Sequence, residues 1–387
     1  MRILLLTDDL LPGGVPRHVL DLSRGLAGRG HAVTIAATDG PLAAEIGDGI
    51  EFLPLDIVQP HSLNKDYFGL LRTTRTLLSY LRRGHVDLIH THKRYSDFLG
   101  RIVARLCELP HVSTCHNTFG DFRRLSPFGE RTIACSESIR QILISKYRKS
   151  AGSVETVYCG VRPIPRLPAT TLRIFRKLWG IEETRRVIVS LGSFFPYKDR
   201  PALVESIVLV QQEMRKARAL CVVVGEGPQR SKVESMVLDR GIADIVRVSP
   251  AVRDIAPVVN MGEFFVLSSR QEGIPYAILE AASLRKPHVA TAVGGIPEFI
   301  EPDVSGILVP PHSPSHLAEG IARFLSNPSD VRRMGRNAQR LYLRRHGFDR
   351  FIDQTLAVYR SALNGSAGRP EGRPTDSRAH IKKRKPA

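Results

Sequence analysis

Strand-length apolar runs alternate with helical segments along this chain, and the alternation stops once and then begins again. RILLLT (2–7) leads through the loop DDLLPGG to a segment with Val15, Val19, Leu22 and Leu26 at helical spacing. Gly28 and Gly30 close that segment, and HAVTIAA resumes as a strand. DLIHTH (87–92), HVSTCH (111–116), RTIACS (131–136) and VETVYC (154–159) continue the pattern, with helical stretches between most of them. GVRPIPRLPA (160–169) then places three prolines in ten residues and reads as a linker. Beyond it come RVIVSLGS, ALCVVVGEG, DIVRVS, FFVLSS, HVATAV and GILVPP, each separated by a helical segment, and from about Ser313 to Leu363 the chain reads as wholly helical. Such alternation builds parallel sheets covered by helices on both faces. The expected fold is α/β, with two doubly wound domains: 1–165, and 166–363 including closing helices. Ligands of such sheets bind at the carboxyl ends of the strands, so the cleft between the domains is the natural site.

Composition separates the end of the chain from the rest. At 387 residues the chain exceeds one ordinary core, and 42% hydrophobic content suffices for burial. Residues 364–387, NGSAGRPEGRPTDSRAHIKKRKPA, are poor in large apolar side chains, so a disordered basic tail is expected there. The net charge is +18, and the tail carries seven Lys/Arg against two acidic residues, which leaves most of the excess on the body. A basic body calls for an anionic partner, such as a phosphate-bearing substrate or an anionic membrane surface. Nucleic acid is a poor fit, resting only on KKRK in the tail. MRILLL is too short for a signal h-region, no run approaches a membrane span, and the five cysteines show no CxxC spacing. These features lead to the expectation of a cytoplasmic protein, peripheral on the inner membrane face if it meets lipid.

Chemistry concentrates in FFVLSSRQEGIPYAILEAASLRKPHVA (264–290), where Glu272 and Glu280 stand eight residues apart. With Pro275 in a first helical turn, the helix is expected to start near Gly273. Eight helical residues rise about 12 Å and turn slightly past two full turns, so both carboxylates would face one way. They could hold two parts of an elongated ligand, but not flank one bond as in a glycosidase. Taken alone, the pair is better read as one glutamate serving the helix dipole and one ordinary surface glutamate. Two other patterns fail. GEGPQR (225–230) has Arg230 where a dinucleotide fingerprint needs its third glycine. His90 and His92 share a strand face, yet no third ligand with sensible spacing appears, so no essential metal is expected.

The segment SRQEGIPYAILEAASLRKPHVATAVGGIPEFIEPDVSGILVPP closely resembles the donor-binding region of retaining family 4 glycosyltransferases of the GT-B architecture, marked by Glu-x7-Glu, then GG-x-x-E and GxLV. GSFFPYKDRPALVESI (192–207) looks like their G-R-x-x-x-x-K-G segment, and VVVGEGPQRSKVE (222–234) like their GxGP turn. The resemblance runs from residue 1 to about 363 and is looser in the first domain. It implies two Rossmann-like domains facing a central cleft and assigns roles residue by residue. Glu280 would take the nucleotide's ribose hydroxyls. Glu272, with Gly273 and Ile274, would hold the donor sugar, and Lys198 would face the diphosphate, where a fixed cation stabilises developing charge. His116 matches the family's active-site histidine. Gly13, Gly14 and His18 would lie on the acceptor side, with Gly14 also close to the donor.

Two departures stand out. Ser193 occupies the place of a phosphate-facing arginine, for which Arg270 could substitute, and Arg285-Lys286-Pro287 replaces x-G-x-P after the helix, altering a cap. The reading implied is a hexosyltransferase-type enzyme with no cofactor, moving sugar from a nucleotide diphosphate sugar to a saccharide or lipid-linked acceptor. A membrane surface would be met through 69–83, with Leu70, Leu71, Thr74, Leu77, Leu78 and Leu81 on one face, and through the aromatic-basic loop 119–131. The competing reading of 69–83 is a core helix with a basic solvent face. Two alternatives stay open: a nucleotide-sugar epimerase of the same architecture, and an inactive nucleotide-sugar-binding protein, for which Ser193 argues.

Overall fold

The computed structural model describes residues 1–57, 67–84, 86–117 and 128–367. Among the described residues, thirteen parallel strands form two sheets. The first holds β1 (Arg2–Asp9), β2 (Ala32–Thr38), β3 (Ile50–Pro54), β4 (Leu88–His92), β5 (His111–Cys115), β6 (Arg131–Ala134) and β7 (Val154–Thr156) in the order β3-β2-β1-β4-β5-β6-β7. The second holds β8 (Arg186–Leu191), β9 (Ala219–Val224), β10 (Val246–Ser249), β11 (Phe264–Leu267), β12 (His288–Thr291) and β13 (Gly306–Val309) in the order β10-β9-β8-β11-β12-β13. Strand order reverses between β1 and β4 in one sheet and between β8 and β11 in the other.

Helices cover both faces, which is why β4, β5 and β9 are buried along their whole length and read as unbroken runs, not alternating ones. On the first sheet lie α1 (Gly14–Ala27), α2 (Tyr67–Arg83), α3 (Arg94–Leu106) and α4 (Glu137–Ser145). After the linker come α5 (Ala169–Leu178), α6 (Arg200–Leu209), α7 (Gln211–Lys216), α8 (Arg230–Asp239), α9 (Ala256–Met261), α10 (Tyr276–Ser283), α11 (Ile296–Phe299), α12 (Pro314–Ser326), α13 (Pro328–Arg345) and α14 (Phe348–Ala367). α1 ends where expected, with Gly30 taking a φ of 79° that other residues resist.

Two features differ from the sequence reading, and a third decides between two readings it left open. First, α14 does not close the second domain. Its Phe351, Ile352, Leu356 and Tyr359 join Ile3, Leu5, Leu22, Val33 and Val112 in the core of the first sheet. A side chain at Gly25 of α1 would strike Ile352, so the two helices approach as closely as glycine allows. Second, α14 runs to Ala367, four residues into the stretch expected to be a tail; 368–387 lie outside the described residues. Third, the leucine stripe of α2 faces inward: Leu77 and Leu81 pack with Leu4, Leu6, Ile89 and Val103, and Leu70 and Leu78 lie against them. Only Phe68 (86% exposed) and Leu71 (48%) stay outside, beside the exposed Arg72, Arg75, Arg82 and Arg83. The core-helix alternative is the one observed. Of the loop 119–131, residues 119–127 are outside the described set.

A hydrophobic cluster crosses the seam between the halves. Cys115, Ala134, Cys135 and Ile139 of the first sheet pack with Leu267, Ile274, Ile278 and Ile296 of the second. The two rows of strand carboxyl ends therefore face each other at close range.

Candidate active site

On the second sheet the site is built by loops after β8 and β11, the two strands at the switch point. Gly192 follows β8 with a φ of 136°, and the loop is clamped from one side by the turn after β9. A Cβ at Gly225 would fall 2.0 Å from Gly192 O, and one at Gly227 would fall 2.8 Å from the Phe194 backbone. The glycines of GEGP thus serve close loop packing. The loop delivers Lys198, whose Nζ lies 2.5 Å from Glu272 Oε1; Ser269 Oγ donates to the same oxygen at 2.6 Å. Asp199 takes a left-handed φ of 47°, in the place where the resembled motif has glycine. Its carboxylate accepts Nε and Nη2 of Arg270 at 2.7 and 3.0 Å. Arg270, expected as a substitute phosphate cation, is therefore held in a fork.

The helix carrying Glu280 begins later than expected. α10 starts at Tyr276 with Pro275 in extended conformation at its cap, so Glu272, Gly273 and Ile274 belong to the preceding loop. Proline disfavours helical backbone in the residue before it, which keeps Ile274 out of the helix. Gly273 is also pinned, because a Cβ there would lie 2.1 Å from His116 O across the seam. The glycine pair 294–295 packs behind: a Cβ at Gly294 would meet Glu272 O at 1.8 Å, and Gly295 N donates to Gly273 O at 2.8 Å. Glu272 and Glu280 still face one cleft, through a fixed loop and not through helical rise. Arg285, after α10, takes the left-handed φ of 62° that the resembled motif gives to glycine.

Glu280 is 7% exposed and looks across the seam at α1. Burial pushes its carboxyl up to about 7, with Asp21 adding to the rise and Arg17 opposing it. Asp21 is itself pushed up to about 6 by burial, against Arg162, Arg17 and Arg24. Arg17 is fixed by Glu45, with Nη1 to Oε2 at 2.5 Å, and Glu45 also lies 3.9 Å from Arg253 of the second half.

On the first sheet, the ends of β4 and β5 and the first turns of α1 gather three imidazoles. His18, His92 and His116 bring one nitrogen each within 4.8 Å of the others, and His92 Nδ1 is 3.1 Å from His116 Nε2. Burial lowers all three well below or far under the ordinary histidine value, keeping them neutral. Spacing offered His90 as the companion of His92, whereas its companions here are His18 from α1 and His116 after β5, which arrive from other strand–helix units. As donors, three neutral imidazoles suit a zinc-type ion. The outer support such ligands need is missing, however: neither nitrogen of His18 nor Nε2 of His92 has a partner among the described residues. His90 is instead a satisfied core residue, bonded to Tyr359 Oη at 2.6 Å and Thr114 Oγ1 at 2.7 Å. Gly13 makes only ordinary contacts, and the space beyond Gly14 is open.

Sequence reasoning gave Glu298, the glutamate of GG-x-x-E, no role. Its carboxylate accepts the N–H groups of Glu137 and Ser138 at the start of α4, both at 2.8 Å, and Tyr158 Oη at 3.0 Å. This carboxylate caps a helix of the opposite half and ties the two halves together beside the cleft.

Residues 12–163 match the sequence model of Glycosyltransferase Family 4, and residues 173–341 match that of Glycosyl transferases group 1. The D-inositol 3-phosphate glycosyltransferase of Saccharomonospora viridis is 26% identical over 398 residues, covering 92% of this chain and 91% of that protein. Among solved structures, Anabaena HepE in complex with UDP-glucose superposes with a TM-score of 0.82 at 20% identity, over 93% of this chain and 100% of that one. WaaG, a glycosyltransferase involved in lipopolysaccharide biosynthesis, superposes with a TM-score of 0.70 at 16% identity, over 95% and 100%. The architecture is that of the GT-B glycosyltransferases. The chain belongs to the family 4 glycosyltransferases.

Proposed function

We propose that the protein transfers a sugar, with retention at the anomeric carbon, from a nucleotide diphosphate sugar to an acceptor hydroxyl. The observation that carries this reading is the convergence of Lys198, Glu272 and Glu280 on a cleft whose other wall is His116, with Gly273 in contact between them. Glu280 would accept ribose hydroxyls and Glu272 hydroxyls of the sugar. As the bond from the sugar carbon to the diphosphate oxygen breaks, its electron pair leaves with the diphosphate, and Lys198 meets that charge. The acceptor oxygen bonds to the same carbon, and its proton goes to the departing diphosphate. The unpartnered nitrogens of His18 and His92 suit sugar hydroxyls, and on this reading no metal takes part.

For the acceptor, we favour a lipid-linked saccharide or polysaccharide precursor at the cytoplasmic face of a membrane. Phe68, Leu71, Arg72 and Arg75 support this, because they lie in the first half of α2, which starts on the carboxyl side of the strands, where the cleft opens. No described helix is long and apolar enough to cross a bilayer. A phosphorylated small acceptor is the second reading, favoured by the relative named for D-inositol 3-phosphate.

The test is differential thermal stability against UDP, GDP, ADP and their sugar conjugates, with wild type and Glu280→Ala. A ligand at 100 times its dissociation constant adds about 2.7 kcal/mol. A shift with one nucleotide that Glu280→Ala abolishes supports the reading. No shift with any of them, in folded protein, removes it in favour of a binding protein of another kind. An altered ring carbon without acceptor would point to an epimerase.

A further inference from the structure

Arg200, the first residue of α6, is 2% exposed. Its guanidinium donates to Ser190 Oγ and, at 2.7 Å, to Gly192 O, and it lies over the Phe194 ring at 5.5 Å. Its Nε has no hydrogen-bond partner among the described residues. Among the described residues no carboxylate lies within ion-pair distance of it. The neighbouring charges are taken: Lys198 pairs with Glu272, and Arg270 with Asp199. Three cations therefore face two anions, and the surplus one is the most deeply buried. Burial lowers its pKa to about 10, which leaves it charged at neutral pH. The nearest carboxylate that acts on it, Glu272, is already paired with Lys198, and a buried charge without a counter-charge of its own is costly.

Its position offers a counter-charge. A Cβ built on Gly192 would stand 3.3 Å from Arg200 Nη2 and 3.9 Å from Lys198 Nζ, so both cations flank one backbone corner. That corner is the carboxyl end of β8, at the switch point of its sheet, and Ser193 beside it lacks the arginine that the resembled motif carries. We propose that Arg200 is the buried counter-charge for the donor's diphosphate: it supplies from beneath the loop the cation that Ser193 does not supply from above. It acts through the Gly192 corner in a low-dielectric setting and is a positioning residue. The inference rests on the donor reading above and names one more group in that site.

The experiment is calorimetric titration with UDP, GDP and ADP and with the matching nucleosides, on wild type, Arg200→Met, Arg200→Gln and the double variant Arg200→Met/Ser193→Arg. Arg200→Gln keeps a donor for Gly192 and removes the charge. Expected are a loss of about tenfold or more in affinity for the bound nucleoside diphosphate in both neutral variants, no change for the nucleoside, and recovery in the double variant. Without nucleotide, Arg200→Met should melt no lower than wild type. Wild-type affinity for the diphosphate in both neutral variants would overturn the inference and leave the donor reading standing. Equal losses for nucleoside and diphosphate with a lowered melting point, or failure of both variants to fold, would also overturn it, since the cation would then be a prop for the loop. If wild type binds none of the three diphosphates, the donor reading and this inference fall together.

Discussion

Gly273 and His116 belong to opposite halves of the molecule, yet a single methyl group on the glycine would fall 2.1 Å from the histidine's carbonyl oxygen. The two walls of the cleft are thus in backbone contact at the point where the donor sugar would sit. Gly273→Ala should force them apart. We expect kcat/KM for transfer to fall about a hundredfold, the size associated with misplacements near 1 Å, while nucleotide affinity changes little. Steady-state kinetics beside nucleotide titration checks this; unchanged transfer would show that the contact is dispensable.

Glu298 holds the same closure from the side. Removing its carboxylate leaves the N–H groups of Glu137 and Ser138 and the Tyr158 hydroxyl without their acceptor. Glu298→Ala should lower stability by about 2 kcal/mol, as expected for charge-assisted hydrogen bonds, and should open the molecule. Denaturant titration reads the first effect and small-angle scattering the second. A radius of gyration identical to wild type, with and without nucleotide, would rule out the latch.

On the proposed role, Glu280 should push stability and nucleotide binding in opposite directions as pH changes. Its carboxyl stands at about 7 in the folded protein against an ordinary 4.5. The folded state therefore holds a proton that the unfolded chain has released, so this contribution is full below about 4.5 and is lost as pH rises through 7. Asp21, raised to about 6, acts in the same sense. Relative to wild type, the melting temperature of Glu280→Gln should climb between pH 5 and 8, over a background that rises with pH in both proteins because His18, His92 and His116 are buried neutral. Nucleotide affinity in wild type should rise over that interval, because the ionised carboxylate is the better acceptor for ribose hydroxyls. An affinity independent of pH would contradict the assigned role.

His92 shares a hydrogen bond with His116 at 3.1 Å, which fixes which imidazole nitrogen of His116 is left for the cleft. His92→Phe fills the same space without that bond. Transfer kcat should drop by about ten- to a hundredfold, within the range of acid–base and hydrogen-bonding effects, with donor KM nearly constant. A rise in KM alone would mean that His92 serves binding.

Much of this architecture is legible in the sequence, for a definite reason. Strands buried on both faces favour continuous apolar runs, as in ALCVVV, and DLIHTH departs from this only with polar residues that find internal partners, His90 on Tyr359 and Thr114. β3 escaped because it is a five-residue edge strand, exposed or half-buried throughout, with no such run to announce it. The partner of α14 was unreadable on other grounds. An amphipathic pattern says that a helix buries one face, not which of two sheets receives it. At the site, Lys198, Glu272 and Glu280 came from the resemblance of two motifs within one sheet to those of a known family. The His18–His92–His116 group, the Glu298 cap and the buried Arg200 depend on contacts between distant segments, which spacing does not encode.

The return of α14 to the first sheet sets an order on how the chain can be made. Leu22, Val33 and Val112 leave the ribosome early, but their packing partners Phe351, Ile352 and Tyr359 come after the whole second domain. Until then the nascent first half carries an open apolar face. A gene cut at the prolines of the linker would yield a first half permanently in that condition. The last twenty helical residues are what make the amino-terminal half a finished unit.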